Sequence, residues 1–335
     1  LARGVFRLLP TTLLRRVRRV TKGRSCRNCF CIIEGVLYRG KEIMSQFSFQ
    51  LFFALFASSY CLSGAELVVK GMDSRCVESG PAPLPRFGFG YSAAISADRT
   101  SVALCDFQGR FLYQRTLRDS EGRVLRVHDA APARDGRLAV AASAIRLDGA
   151  VQSVLGFLDA GGGVTRIVTE DGFASFRIRY SESGELWALA GAKGSHLIRV
   201  YTADGRLSRE LLGRDEFAQS KHASADGLLI GGAASMAVWL PELRAVVEFS
   251  SAGQELGRWV GLDIPASYDL LTAVMPAKNL LWVQALTPNP GVFRLDLNAA
   301  KPQLEPIAEA ETSALLGMHE GQVVRFGKGQ FWVEK

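Results

Sequence analysis

The chain has 335 residues, 48% of them hydrophobic, and a net charge of +7. This length and apolar content allow one large β domain or two average domains, and they exclude a disordered chain. A basic chain favours a nucleic-acid or anionic-membrane partner only where the charge belongs to its folded part.

The excess positive charge is confined to the N-terminus. Residues 1–43 contain eleven Lys or Arg residues against Glu34 and Glu42, so 29 of the 40 basic and 31 of the 33 acidic side chains lie beyond them. We therefore expect no nucleic-acid partner. Because the sequence starts at Leu1 and Met44 opens a second possible start, residues 1–43 are interpreted as a start-site artefact or an Arg-rich transit peptide.

An uncharged, Phe-rich segment follows at residues 44–65 and ends in Leu-Ser-Gly-Ala. Small residues at such an end are what signal peptidase accepts, so the segment predicts a signal peptide cleaved between Ala65 and Glu66. Its length is also sufficient for an uncleaved membrane anchor. The basic flank stays on the cytoplasmic side in both cases, and residues 66–335 are expected to be extracytoplasmic.

The cysteines divide into two groups. Cys26 and Cys29 have CxxC spacing in the basic leader, but no second Cys/His pair accompanies them, so they do not predict a zinc site. Cys76 and Cys105 are left in the exported part. An oxidising compartment allows them to form a disulfide, and two buried free thiols are the alternative.

Residues 173–212 contain the clearest structural unit. Apolar, aromatic and β-branched residues alternate there between turns at Ser183-Gly184 and Asp204-Gly205. The pattern predicts four short strands over 175–180, 185–190, 196–201 and 206–212.

The same rhythm recurs at about 45-residue intervals, the period of four-stranded propeller blades. The first turns fall at Arg99, Gly136, Gly184, Gly227, Asn279 and Gly321, and the second turns fall at Gly109, Gly162, Gly205, Gly253 and Asn298. The last unit lacks a fourth strand, whereas residues 66–70 form a spare one. We therefore predict an all-β fold, a β-propeller of six four-stranded blades with the N-terminal strand closing the last blade.

The segment 198–207, IRVYTADGRL, resembles the third-strand, turn and fourth-strand portion of NHL-type propeller repeats. Ala190-Gly191 stands where such repeats often have Asp at the end of the second strand. The resemblance implies the propeller fold over residues 66–335. Propellers of this kind serve as protein-binding platforms, ligand receptors and, less often, lactonases or lyases, so the resemblance leaves the activity open.

Catalytic motifs are sparse. The four histidines are scattered, and no GxSxG elbow, Walker loop or HExxH motif occurs. In a propeller, the loops between blades and between second and third strands converge on one face, where binding sites tend to lie. The loop-face candidates for ligand binding are Arg126, His128, Asp129, Glu170, Asp171, His196, Asp215, Glu216, Lys221, His222, Tyr268 and Asp269. A solvated loop rim has the same composition. Trp187, Trp239 and Trp282 recur on second strands, which indicates packing between blades.

Two functions compete. We favour a secreted or membrane-anchored, monomeric, non-enzymatic propeller that needs no cofactor and binds a protein or small molecule on its loop face. The alternative is a metal-dependent lactonase or hydrolase of the gluconolactonase kind, in which carboxylates hold Ca²⁺ or Zn²⁺ over the channel. Convergence of at least three of Glu170, Asp171, Asp215, Glu216, Asp269 and Glu311 on one point would favour the enzyme.

Overall fold

The computed structural model describes residues 65–67, 73–76, 85–146, 148–170, 172–190, 196–213, 227–232, 234–264, 270–286, 290–307, 313–327 and 330–334. The basic leader and the predicted export segment up to residue 64 lie outside this description. Within the described ranges, no helix is both long and apolar enough to cross a membrane.

The first half of the described chain forms three antiparallel sheets, each of four strands in chain order. The first contains β2 (Arg86–Gly88), β3 (Tyr91–Ile95), β4 (Ser101–Asp106) and β5 (Phe111–Thr116). The second contains β6 (Arg126–Pro132), β7 (Leu138–Ile145), β8 (Val151–Leu158) and β9 (Val164–Glu170). The third contains β10 (Ser175–Tyr180), β11 (Leu186–Ala190), β12 (His196–Tyr201) and β13 (Leu207–Gly213).

An eight-stranded sheet follows, in the order β17-β16-β15-β14-β18-β19-β20-β21. Its first half contains β14 (Leu228–Gly232), β15 (Ser235–Leu240), β16 (Ala245–Ser250) and β17 (Glu255–Trp259). Its second half contains β18 (Leu270–Ala277), β19 (Leu280–Ala285), β20 (Gly291–Asp296) and β21 (Glu305–Pro306). The halves are antiparallel internally and are joined by a short parallel pairing of β14 with β18, at Gly231↔Val274 and Gly232↔Met275.

The two ends of the chain share the last sheet. β22 (Ala314–His319), β23 (Gln322–Gly327) and β24 (Gln330–Glu334) are completed by β1 (Ala65–Leu67), which pairs antiparallel with β24. The spare N-terminal strand thus covers the outer edge of β24, although it is shorter in the described residues than the 66–70 that the sequence predicts. An uncovered edge would offer unpaired backbone groups to other chains.

The first strands of the sheets lie side by side around a common axis. β2 contacts β6, β6 contacts β10, and the contacts continue through β14 and β18 to β22, which contacts β2 again. The fold is therefore all-β with a propeller-like arrangement of sheets. In each sheet the first strand runs from the face of the inter-sheet loops, here called the loop face, to the face of the first hairpin, here called the hairpin face.

The hydrophobic core lies between neighbouring sheets. Trp187 of β11 is fully buried and packs with Val238 and Phe249 of the following sheet. Trp239 of β15 packs in the same way against the β18–β21 half. Large apolar side chains on second strands therefore hold sheet to sheet, in agreement with the packing role that their recurrence indicates.

Two of the expected first turns are wrong. Arg99 lies in the connection between β3 and β4, the second and third strands of its sheet, and Gly227 precedes β14. The true first turn of the first sheet is Phe89-Gly90, where both residues have positive φ (51° and 84°). The prediction missed it because Phe is a rare residue in the left-handed region.

A disulfide joins Cys76 to Cys105 of β4, with the Cα atoms 5.9 Å apart. The short 3-10 turn Ser74–Cys76 is also held by the Asp73 amide, which donates to the Gly109 carbonyl, and by Arg75, which lies 3.5 Å over the Phe111 ring. Of the two alternatives for these cysteines, the structure contains the pair. The Pro-rich stretch over 77–84 lies outside the described residues.

Candidate functional site

A narrow central channel of about 80 Å³ is surrounded by β2, β6, β10, β14, β18 and β22. At the hairpin face it widens into an opening of about 420 Å³, and the two spaces share Phe89, Glu182, Gly232 and Met318. The channel is therefore continuous with a surface pocket on the face opposite the predicted loop face.

One carboxylate is built into the channel wall. Asp129 of β6 is 2% exposed, and its Oδ1 accepts a hydrogen bond from Arg86 Nε of β2 at 2.5 Å. Its Oδ2 accepts from the backbone amide of Ile178 at 2.9 Å. Asp129 thus ties three neighbouring first strands together, and both of its oxygens have protein partners.

Two further arginines enter the channel from β10. Arg177 and Arg179 line it at alternate positions, while Ile178 between them is 5% exposed and packs into the core. The Arg179 guanidinium lies against Gly231 of β14, where an added Cβ would be 2.6 Å from Arg179 Nε. The absence of a side chain at Gly231 is what makes room for Arg179.

The positive charge of Arg179 is unfavourable in the folded protein, as its lowered pKa shows. Burial is the main cause that lowers the pKa of Arg179 to about 10; the Asp129 charge opposes this shift and the neighbouring Arg86 adds to it. Its guanidinium has no hydrogen-bond partner among the described residues, and the two oxygens of the nearby Asp129 accept from Arg86 and from the Ile178 amide. The side chain is still protonated at neutral pH. Its guanidinium lines the channel, and its N–H groups can donate hydrogen bonds to a ligand.

The opening at the hairpin face is both aromatic and charged. Arg134 and Glu182, in the first turns of the second and third sheets, form an ion pair across the gap between the sheets. Arg134 also lies 5.4 Å from the Phe89 ring centroid, and the tilted rings of His319 and Phe107 have centroids 4.6 Å apart. The lining therefore combines an aromatic surface with groups of both signs.

The structure places Arg126, His128 and Asp129 on β6 and not in a connecting loop. Arg126 is exposed at the start of the strand. His128 Nε2 is 2.8 Å from Ser143 Oγ, and burial lowers its pKa, assisted by Arg126 and Arg99 and opposed by Asp129. Of these three predicted residues, Asp129 lines the channel.

Glu170, at the end of β9, is a buried acceptor. Its carboxylate accepts hydrogen bonds from Ser153 Oγ, the Ser175 amide, Ser175 Oγ and Tyr201 Oη, at 2.7–3.2 Å. Burial, followed by the Glu170 charge, raises the pKa of Tyr201 above its usual value. Glu170 therefore joins the second sheet to the third, and its oxygens are occupied.

The remaining loop-face predictions are not brought together by any described contact. The backbone of His196 begins β12. The other candidates lie outside the described ranges: Asp171, Asp215, Glu216, Lys221, His222, Tyr268 and Asp269, together with Glu311 of the metal hypothesis. In the part of the chain that the structure describes, no group of three His, Cys, Asp or Glu side chains is placed to hold a metal ion.

Sequence reasoning missed Arg86, Arg177 and Arg179. A signal was available, because Arg177 and Arg179 alternate on the first strand of the clearest unit, where a strand surrounded by protein favours apolar residues. Arg86 and Phe89 lie in the conspicuous segment RFGFGY. Only closure of the ring brings these segments together.

Comparisons with known proteins give a likeness of fold and no family. Neither a family model nor a curated protein matches the sequence. A "putative exported protein" of Bacteroides fragilis NCTC 9343 is 12% identical, with 78% of this chain and 84% of that chain covered and a TM-score of 0.49. A glucose dehydrogenase is 10% identical, with 81% and 99% covered and a TM-score of 0.44. The β-propeller domain of Myceliophteria thermophila Cps50 (Swd1) is 9% identical, with 81% and 100% covered and a TM-score of 0.43. At these similarities the comparisons assign neither a family nor an activity to the chain.

Proposed function

We propose that the chain is an exported, six-bladed β-propeller that binds a ligand at the hairpin-face opening of its channel without converting it chemically. This site differs in position from the loop face that the sequence favours. The main support for this proposal is the opening of about 420 Å³, whose described lining includes Phe89, the Arg134–Glu182 ion pair and His319. Small-molecule sites typically occupy about 300–1,000 Å³ and combine apolar surface with a few placed polar groups.

Six blades are supported by the ring of six first strands and by the core clusters. The clusters of described residues pack between successive sheets, and one of them packs between the two halves of the eight-stranded sheet. Only two residue pairs join β14 to β18, so the halves are counted as two blades. Kinship with NHL-type repeats is supported by the register of β10–β13, which follows the predicted strands.

Export is supported by two features of the chain. The uncharged segment over 44–65 has the length and ending of a signal peptide. Disulfides persist in oxidising compartments, and the structure pairs Cys76 with Cys105. The mass of the protein released by an exporting cell tests this proposal: we expect an N-terminus at Glu66, and retention of Leu1 on a cytoplasmic protein would contradict it.

A binding role is supported by the backbone at Phe89. A non-glycine residue in the left-handed region costs about 1–2 kcal/mol, and Phe89 adopts φ 51° at the rim of the opening. Such strain is often retained at ligand sites. The channel carboxylate, Asp129, is held by Arg86 and Ile178, which fits a structural acceptor better than a general base.

The binding role is tested by calorimetry of the exported protein with single-ring probes: benzyl alcohol, benzylamine, benzoate and phenyl phosphate. We expect at least one probe to bind, to be recovered unchanged, and to lose affinity in Phe89→Ala. Leu256→Ala is the control, because Leu256 is 56% exposed on β17, away from the opening. Failure of every probe to bind, binding that ignores Phe89, or conversion of a probe would overturn the proposal.

The metal-dependent lactonase remains the competing proposal. A thermal-shift scan with calcium, zinc and manganese separates the two, since a cation that binds only the folded state raises the unfolding temperature. The binding proposal expects no shift with any of them. A shift that disappears in Glu216→Gln or Asp269→Asn would favour the lactonase.

A further inference from the structure

We propose that Arg179, with Arg86 beside it, binds the oxyanion head group, carboxylate or phosphate, of a small organic anion that enters through the hairpin-face opening. This inference rests on the proposed binding function and names its ligand class. No covalent step is involved. The head group would sit in the narrow channel, and the body of the ligand would occupy the opening.

Charge balance is the first argument. Two arginines of the described channel wall, Arg86 and Arg179, lie near one buried carboxylate, Asp129, which accepts from Arg86 and from the Ile178 amide. At the rim, Arg134 pairs with Glu182. The guanidinium of Arg179 has no hydrogen-bond partner among the described residues, and a partly buried cation of this kind is stabilised by a ligand of opposite charge.

The fixed position of Arg179 is the second argument. Its guanidinium lies against Gly231, where even a methyl group would collide with it. A guanidinium offers donors in a planar fork that matches the two oxygens of a carboxylate or phosphate. A side chain packed against backbone has less conformational entropy to lose on anion binding than an exposed one.

The dimensions are the third argument. About 80 Å³ accommodates a few water molecules or one oxyanion group, and it does not accommodate a larger metabolite. The adjoining opening of about 420 Å³ offers Phe89 and Met318 to the rest of the ligand. The site therefore selects a small anionic head joined to a larger, partly apolar body.

The energetics of Arg179 agree with this geometry. Its lowered pKa means that the folded protein holds this proton less tightly than an ordinary arginine does. The free energy of unfolding therefore rises only between about pH 10 and the usual arginine pKa, where the folded protein releases this proton before the unfolded chain does. Below about pH 10 both states are protonated, and the charge destabilises the protein that has no ligand bound. An anion in the channel offsets that cost.

The test uses the exported protein, calorimetry and three probes at low ionic strength: phenyl phosphate, benzoate and neutral benzyl alcohol. We expect an oxyanion to bind more tightly than benzyl alcohol, and Arg179→Met to weaken that binding by about 10- to 100-fold. The tighter of the two anions identifies the head group. Arg294→Met is the matched control, because Arg294 is an exposed arginine paired with Glu305 on the outer strands. It should leave the affinity unchanged.

Gly231→Ala is the second variant, since it keeps every charge and displaces the guanidinium. We expect it to weaken oxyanion binding as Arg179→Met does. Thermal unfolding guards against misfolding: without anion, Arg179→Met should unfold at the wild-type temperature or above it, and phenyl phosphate should stabilise only the wild type. Unchanged oxyanion affinity in Arg179→Met, or equal binding of benzyl alcohol, overturns the inference. Binding that requires Phe89 but ignores Arg179 overturns it while the proposed function stands.

Discussion

The two sides of the central channel differ in chemistry. On β2, β6 and β10 the wall is ionic, with Arg86, Asp129, Arg177 and Arg179. On β14, β18 and β22 the described wall is mainly apolar, formed by residues such as Leu228, Leu271, Leu315, Leu316 and Met318. We call these the ionic side and the apolar side.

The difference separates two tasks. A channel needs only packed side chains to be stable, and the apolar side shows that this sequence can supply them. The ionic side costs stability unless its charges are satisfied, and the Arg86–Asp129 pair leaves Arg179 without a hydrogen-bond partner among the described residues. We propose that the ionic side serves binding and the apolar side serves stability, and four variants can break or sharpen that comparison.

The largest effect is expected from Asp129→Ala. It removes the acceptor of Arg86 and of the Ile178 amide and leaves a partly buried cation without this partner. We expect a loss of about 4 kcal/mol of unfolding free energy, measured by urea denaturation. The control is Asp135→Ala, which breaks an exposed pair with Arg137 and should cost no more than about 1 kcal/mol. Equal losses in the two variants would contradict the structural role of Asp129.

The disulfide stabilises the first sheet, because it joins residues 73–76 to β4. This sheet contains β2, one of the three strands of the ionic side. The closed loop of the disulfide spans 29 residues, for which chain entropy predicts about 3.5 kcal/mol of stabilisation. We expect the double variant Cys76→Ala/Cys105→Ala to lose that amount in urea denaturation and to become insensitive to dithiothreitol. If the unfolding midpoint of the wild type does not change on reduction, the disulfide does not contribute to stability.

Leu315→Ala tests the apolar side. Leu315 is fully buried between β18 and β22, and truncation of a buried leucine leaves a cavity. We expect about 3 kcal/mol lower unfolding free energy with unchanged affinity for phenyl phosphate. If circular dichroism shows that this variant is folded, a strong loss of affinity for phenyl phosphate would contradict the assignment of the apolar side to stability alone.

His128→Gln should give the smallest effect. Burial lowers the pKa of His128 in the folded state, so the unfolded chain takes up this proton first. Stability is then complete above about pH 6.5 and declines as the pH falls through the folded pKa. Because Gln can keep the hydrogen bond to Ser143, we expect the variant to lose less stability than the wild type in urea denaturation between pH 7 and pH 5. Parallel curves would contradict this assignment.

The architecture could be read from the sequence where turns use glycine. Gly136, Gly184 and Gly205 mark hairpin turns with positive φ, and the strands around them form as expected. The prediction failed at Phe89, which adopts the same backbone conformation without being glycine. The sequence therefore places the first turn of the first sheet at Arg99, which is wrong.

The candidate site could not be read in the same way. Arg86 and Asp129 are 43 residues apart, and Asp129 and Ile178 are 49 apart, so each pair meets only because consecutive first strands become neighbours in the ring. Periodicity identifies those strands without showing which side chains face the channel. The sequence predicts Asp129 as a loop-face residue, whereas the structure places it on β6 in the channel wall.

The most direct test of the account is a crystal structure of the exported protein soaked with phenyl phosphate. The account predicts the phosphate within hydrogen-bond distance of the Arg179 guanidinium and the phenyl ring in the opening beside Phe89. A phosphate bound instead on the loop face, or a channel that stays free of the ligand at a saturating concentration, would contradict it.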